Sequence, residues 1–158
     1  EATDWGWDWA SEKDKHLHPK YAPVNRYATD IIGCLNNWVD GWIDWNMVLD
    51  RQGGPNWFKN WCVAPVIVDP EKDEVYFTPL YYVMAHFSKF MRPGAVKIGC
   101  TINNEELMTT AVKNPDGSIA VVVFNPTEKP QSIQMNIGNQ IKNTTISAKA
   151  LQTIVVKM

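Results

Sequence analysis

The sequence predicts an α/β segment followed by an all-β domain, with the change near residues 91–95. Three observations carry this. Apolar residues recur at helical spacing over residues 24–38 and again after Pro79, with a strand-length run at 39–46 and a long loop between. The order helix, strand, long loop, helix belongs to βα repeats rather than to a free-standing bundle. After Gly94, six short apolar runs follow one another with no helix between them, as in a β-sandwich.

Residues 1–23 read as a polar, aromatic loop. Trp5, Trp7 and Trp9 alternate as strand residues do, but the charged run Ser11-Glu12-Lys13-Asp14-Lys15 favours a loop, the kind of segment that carries function on a rigid scaffold. Over 24–38, Tyr27, Ile31, Leu35 and Trp38 form one stripe of an amphipathic helix. Residues 39–46 read as a buried strand and 47–66 as loop, while Val66-Ile67-Val68 is too short to assign. Thr78-Pro79 starts the second helix with a capping hydroxyl and a Pro at its first position. Leu80, Val83, Met84, Phe87 and Met91 give its apolar stripe, and Pro93-Gly94 stops it. The strands of the second domain are expected at 95–102, 107–113, 118–125, 131–137, 141–146 and 150–157, with Asn114-Pro115-Asp116-Gly117 as a clear turn. Domains therefore span 1–93 and 94–158.

Composition bounds the function. Apolar content of 45% with 20% charged residues is globular, and a net charge of −2 supplies no basic field for nucleic acid and no polybasic membrane patch. No apolar run reaches the roughly 20 residues of a membrane span. The three cysteines are widely spaced, without a metal-ligand pattern, and are expected as buried free thiols. No metal and no cofactor is implied. Eight tryptophans exceed what packing a chain of 158 residues ordinarily uses, and flat indoles serve as ligand platforms.

The candidate site residues each carry two readings. Glu1 stands directly before a loop, where a barrel strand would end; a carboxylate there suits nucleophilic attack on an anomeric carbon, and an exposed chain boundary is the plain alternative. In Gly41-Trp42-Ile43-Asp44-Trp45-Asn46, a strand-length run ending in polar and aromatic groups is how a (β/α) barrel presents a site. Trp45 either stacks on a sugar ring or fills the core. Asp44 either orients its neighbours or is a satisfied structural acid. Asn56, in Gly53-Gly54-Pro55-Asn56-Trp57, either recognises neighbouring hydroxyls or only shapes a turn.

Together with Pro79-Leu80-Tyr81-Tyr82 and His86-Phe87-Ser88-Lys89-Phe90, these stretches resemble the glucosylceramidase branch of glycoside hydrolase family 30. The resemblance implies the C-terminal part of a (β/α)8 TIM barrel, strands 7–8 with their helices, followed by a β-sandwich domain. It implies a retaining β-glycosidase with Glu1 as nucleophile, Trp45 and Asn56 as substrate-binding residues, and Asp44 and Trp5 beside the pocket or at its rim. The general acid/base would lie in a preceding part of the barrel, so residues 1–158 alone are expected to be inactive. The implied partners are a β-linked glycoside or glycolipid substrate and the N-terminal part of the barrel; the implied setting is exported, periplasmic or lysosomal. The Trp5-Gly6-Trp7-Asp8-Trp9 loop, which would rim the aglycone side, differs from that of lysosomal glucosylceramidases and sets the ceramide preference apart from the rest of the resemblance. A further reading keeps the barrel and takes xylan or β-1,6-glucan as substrate. A carbohydrate-binding or scaffolding module without chemistry is the reading from another class.

Overall fold

The computed structural model describes residues 22–58 and 62–157, which divide into two compact units. Residues 22–27 and Gly41–Met84 form the first; Ala28–Asp40 and Ala85–Met158 form the second.

Helix α1 spans Ala22–Asn36 and helix α2 Pro79–Ser88, both within a few residues of the predicted bounds. Tyr27, Ala28, Ile31 and Ile32 are the buried face of α1, and Leu80, Val83 and Phe87 that of α2. Pro79 opens α2 as expected, since its missing N–H is an orphan there in any case. Thr78 does not spend its hydroxyl as a cap: Oγ1 donates to the Ala64 carbonyl at 3.0 Å, which ties the helix start to the preceding loop.

The first unit holds a three-stranded sheet of β1 (Val48–Asp50), β2 (Val66–Asp69) and β3 (Glu74–Phe77), in that spatial order. β1 runs parallel to β2, and β2 antiparallel to β3. Leu49, Val66 and Ile67 supply its buried apolar side chains, and Asp69 is buried with them. Residues 39–46, predicted to be a buried strand, are not one: the chain there is irregular and mostly exposed, and the ladder begins only at Val48. A barrel strand takes its hydrogen bonds and its burial from both neighbours, and among the described residues no strand pairs with 39–46.

The second unit carries β4 (Val96–Lys97), β5 (Met108–Lys113), β6 (Ile119–Asn125), β7 (Gln131–Ile137), β8 (Gln140–Ile146) and β9 (Ala150–Val156). Each falls inside, or within a residue of, an apolar run of the sequence. β4-β5-β6-β9 form one antiparallel sheet and β7-β8 a hairpin. The core joins Leu107, Ala111, Val121, Val123 and Ile146, with Ile133, Met135 and Ile137 of β7 packed half-buried against it. β7 keeps the predicted alternation, since Ser132, Gln134 and Asn136 are exposed. A cavity of about 610 Å³ lies between the sheet and this hairpin. The β5–β6 turn is pinned by Asn114, whose Nδ2 donates to the Phe90 carbonyl at 2.9 Å and whose Oδ1 accepts from the Arg92 N–H at 3.0 Å. All three cysteines are free thiols; Cys62 is buried as expected, while Cys34 is half-buried and Cys100 exposed.

Candidate active site

The described candidates lie on two loops of the first unit, one leading into β1 and one leaving it. In the first, Trp42 turns inward and meets the ring of Tyr27 edge-on, with centroids 5.3 Å apart. The Tyr27 hydroxyl donates to both carboxylate oxygens of Asp44, at 2.8 and 3.0 Å. Asp44 Oδ1 also accepts the backbone N–H of Trp45 at 2.8 Å. Burial, and after it the negative charge of Asp44, push the Tyr27 phenol far above its ordinary value, so it is a proton donor throughout the neutral range. The Asp44 carboxylate is thus held by the Tyr27 hydroxyl and by the Trp45 N–H. Trp45 itself is 73% exposed, which removes the core-filling reading of its indole in the described structure.

The second loop is organised by Asp50. Its Oδ1 accepts the N–H groups of Gln52 and Gly54 at 2.9 and 2.8 Å, and its own N–H donates to the Gly54 carbonyl at 2.6 Å. Gly53 adopts φ +92°, and a Cβ on it would lie 2.4 Å from the Cys62 carbonyl oxygen, so a side chain is excluded for two reasons. A cis Gly54-Pro55 bond follows. Asn56 leaves this turn half-buried, and its Nδ2 is shielded from solvent with no hydrogen-bond partner among the described residues. Trp57 and Phe58 beyond it are almost fully exposed.

Glu1 and Trp5 lie outside the described residues. Of the remaining candidates, the structure joins Asp44 to Trp45 and leaves Asn56 with an unused donor. Sequence reasoning missed two contributors. Tyr27 was legible only as one member of a helix stripe, and nothing in its spacing singled out a polar role. Asp50 fell inside the run 47–66 read simply as loop, although an Asp ahead of a Gly-Gly-Pro turn is a signal for backbone capture. Among the described residues no three His, Cys, Asp or Glu side chains group as metal ligands, and no helix is long and apolar enough to cross a membrane.

Residues 9–91 match the glycosyl hydrolase family 30 TIM-barrel domain, and residues 94–154 the family 30 beta sandwich domain. The chain is 39% identical over 159 residues to putative glucosylceramidase 2 of Caenorhabditis elegans, covering 94% of this chain and 30% of that protein. It is 43% identical over 101 residues to lysosomal acid glucosylceramidase of Mus musculus, covering 63% and 20%. Among solved structures, SrfJ from Salmonella typhimurium superposes with a TM-score of 0.82 at 28% identity, covering 94% of this chain and 32% of that one. The endo-β1,6-glucanase BT3312 does so with 0.73 at 29%, covering 81% and 30%. The chain thus spans less than a third of the length of each of these relatives.

Proposed function

The chain belongs to glycoside hydrolase family 30, with parts of both its TIM-barrel and its β-sandwich domains, and from that premise we propose that it supplies the nucleophile and part of the sugar pocket of a retaining β-glycosidase acting on β-glucosides such as glucosylceramide. Glu1 attacks the anomeric carbon and forms a glycosyl-enzyme. A second carboxylic acid, from a barrel segment outside these 158 residues, protonates the leaving oxygen and then activates water. Trp45 stacks on the glycone, and Asn56 hydrogen-bonds its hydroxyls.

The observation that carries this reading is the Asn56 amide. A shielded polar group is rarely left unpaired in a native fold; the Asn56 Nδ2 has no partner among the described residues, and a sugar hydroxyl would be a fitting acceptor. The exposed Trp45 indole is the apolar counterpart that a pyranose face requires.

The test uses a polypeptide in which the amino-terminal barrel segments precede this chain. Glu1→Gln should lower turnover of an aryl β-glucoside by at least about a thousandfold. Azide added to Glu1→Ala should yield the glycosyl azide of inverted configuration, because the small anion replaces the missing carboxylate. A fully active Glu1→Gln overturns the nucleophile assignment and leaves residues 1–158 with a carbohydrate-binding rather than a catalytic share in the enzyme. Residues 1–158 alone should show no turnover, since retention needs two carboxyl groups about 5–5.5 Å apart.

The glucanase relative motivates a second reading, in which the same site takes β-1,6-glucan. Rates on glucosylceramide, a β-1,6-glucan and a xylan decide between them.

A further inference from the structure

The contact between Tyr27 and Asp44 joins residues 17 apart in sequence and is placed where it governs a third. Trp45 is largely free of packing in the described structure, so the point from which its indole extends is set by its backbone. Its N–H is captured by Asp44 Oδ1. A carboxylate on an irregular loop would rotate freely about its own bonds, but the Tyr27 hydroxyl reaches both oxygens and fixes the plane of the group. The Tyr27 ring is buried on helix α1, and Trp42 packs against it edge-on, so the donor stands on a rigid support.

We propose that Tyr27 is a positioning residue for sugar binding: through Asp44 it sets the orientation in which Trp45 is offered to the glycone. The proposal rests on the reading that Trp45 is the sugar platform and adds how that platform is held. The Tyr27 phenol stays protonated and Asp44 is its acceptor, so the clamp needs no titration to form. What it supplies is preorganisation: a platform whose backbone is already held loses less freedom when the sugar arrives.

The experiment is a double-mutant cycle in the polypeptide with the barrel segments in place, read as KM and kcat on an aryl β-glucoside and as the inhibition constant of a glucose-shaped iminosugar. Tyr27→Phe removes one oxygen and keeps the ring against Trp42. It should raise KM and the inhibition constant about tenfold, the order expected for losing a hydrogen bond to a charged group, with kcat changing less than threefold. In a Trp45→Ala background the same substitution should have no further effect, and Asp44→Asn, which keeps one acceptor, should fall between wild type and Tyr27→Phe. If Trp45→Ala leaves KM and the inhibition constant unchanged, the platform reading fails and this inference with it. If Trp45→Ala weakens binding while Tyr27→Phe does not, or adds its full effect on top, the platform stands and the positioning role is overturned. Should Tyr27→Phe fail to fold, Asp44→Asn carries the same cycle, and additivity with Trp45→Ala refutes the proposal equally.

Discussion

Trp38 closes helix α1 in a conformation that bulky L residues rarely take. Its φ is +67°, and the Val39 N–H bonds back to the Cys34 carbonyl at 3.1 Å, the six-to-one bond of a Schellman stop. Glycine is the usual residue there because a Cβ in the left-handed region costs about 1–2 kcal/mol. The indole is 82% exposed, so little packing is at stake in the described structure. Trp38→Gly should therefore stabilise residues 1–158 by about 0.5–1 kcal/mol, after the extra unfolded-state entropy of glycine, in urea denaturation at neutral pH. The sequence stripe placed Trp38 on the apolar helix face. It stands instead one residue past the cap, because periodicity does not register where backbone bonding turns back. Asn125 shows the opposite case: standing before Pro126, where an Asn ordinarily only shapes a turn, it is fully buried and donates to the Lys129 and Ser147 carbonyls at 2.8 and 2.9 Å. Its amide closes the loop after β6, a role that no turn preference specifies.

At the scale of elements, the loop from Asp50 to Asn56 is the part of the candidate site with the least tolerance. Gly53 has a positive φ and a neighbouring carbonyl where a Cβ would go, and its own carbonyl accepts the Cys62 N–H at 3.1 Å. Gly53→Ala should cost residues 1–158 at least about 2 kcal/mol in the same urea assay, since left-handed strain and backbone displacement add. On the proposed function, it should also weaken iminosugar binding, because the turn that carries Asn56 must move. A loss smaller than about 0.5 kcal/mol would show that the turn can relax, and that Asn56 is not rigidly presented. The Gly-Gly-Pro-Asn turn was legible because its residue types have few other uses. The irregular course of residues 39–46 was not: exposure alternates over 42–45, yet no ladder forms there. Alternation states which side chains can share a face, and pairing is decided by a neighbour strand.

At the scale of the whole molecule, the described residues place a pH-sensitive group in the second unit. His86 of α2 pairs through Nδ1 with Thr153 Oγ1 of β9 at 2.9 Å, while the Thr153 hydroxyl donates to the His86 carbonyl at 3.0 Å. With its only proton given to that carbonyl, the hydroxyl must accept at Nδ1, which selects the neutral tautomer carrying the proton there. Burial lowers the His86 pKa below its ordinary 6.5. The unfolded chain then binds a proton at a higher pH than the folded chain does. Stability is full above about 6.5 and is lost as pH falls from there through the folded value. Thermal unfolding of residues 1–158 should therefore drop in midpoint between about pH 7.5 and about pH 5.5, and His86→Gln should flatten that drop. An equal pH slope in the variant would place the sensitivity elsewhere.

What the sequence determined by itself was everything ruled by near neighbours along the chain. The spacing of apolar residues located both helices and all six strands of the second unit to within a few residues, and Gly, Pro and Asn marked the turns. Family 30 membership was legible too, because turn residues such as Gly53-Gly54-Pro55-Asn56 have an order that packing alone does not demand. Only the tertiary structure decided that residues 39–46 form a loop rather than a strand, that β1 pairs parallel with β2, and that Tyr27 grips Asp44. Those outcomes depend on which surfaces meet after the chain has folded back on itself. A repeat of two or 3.6 residues says nothing about a partner 17 positions away.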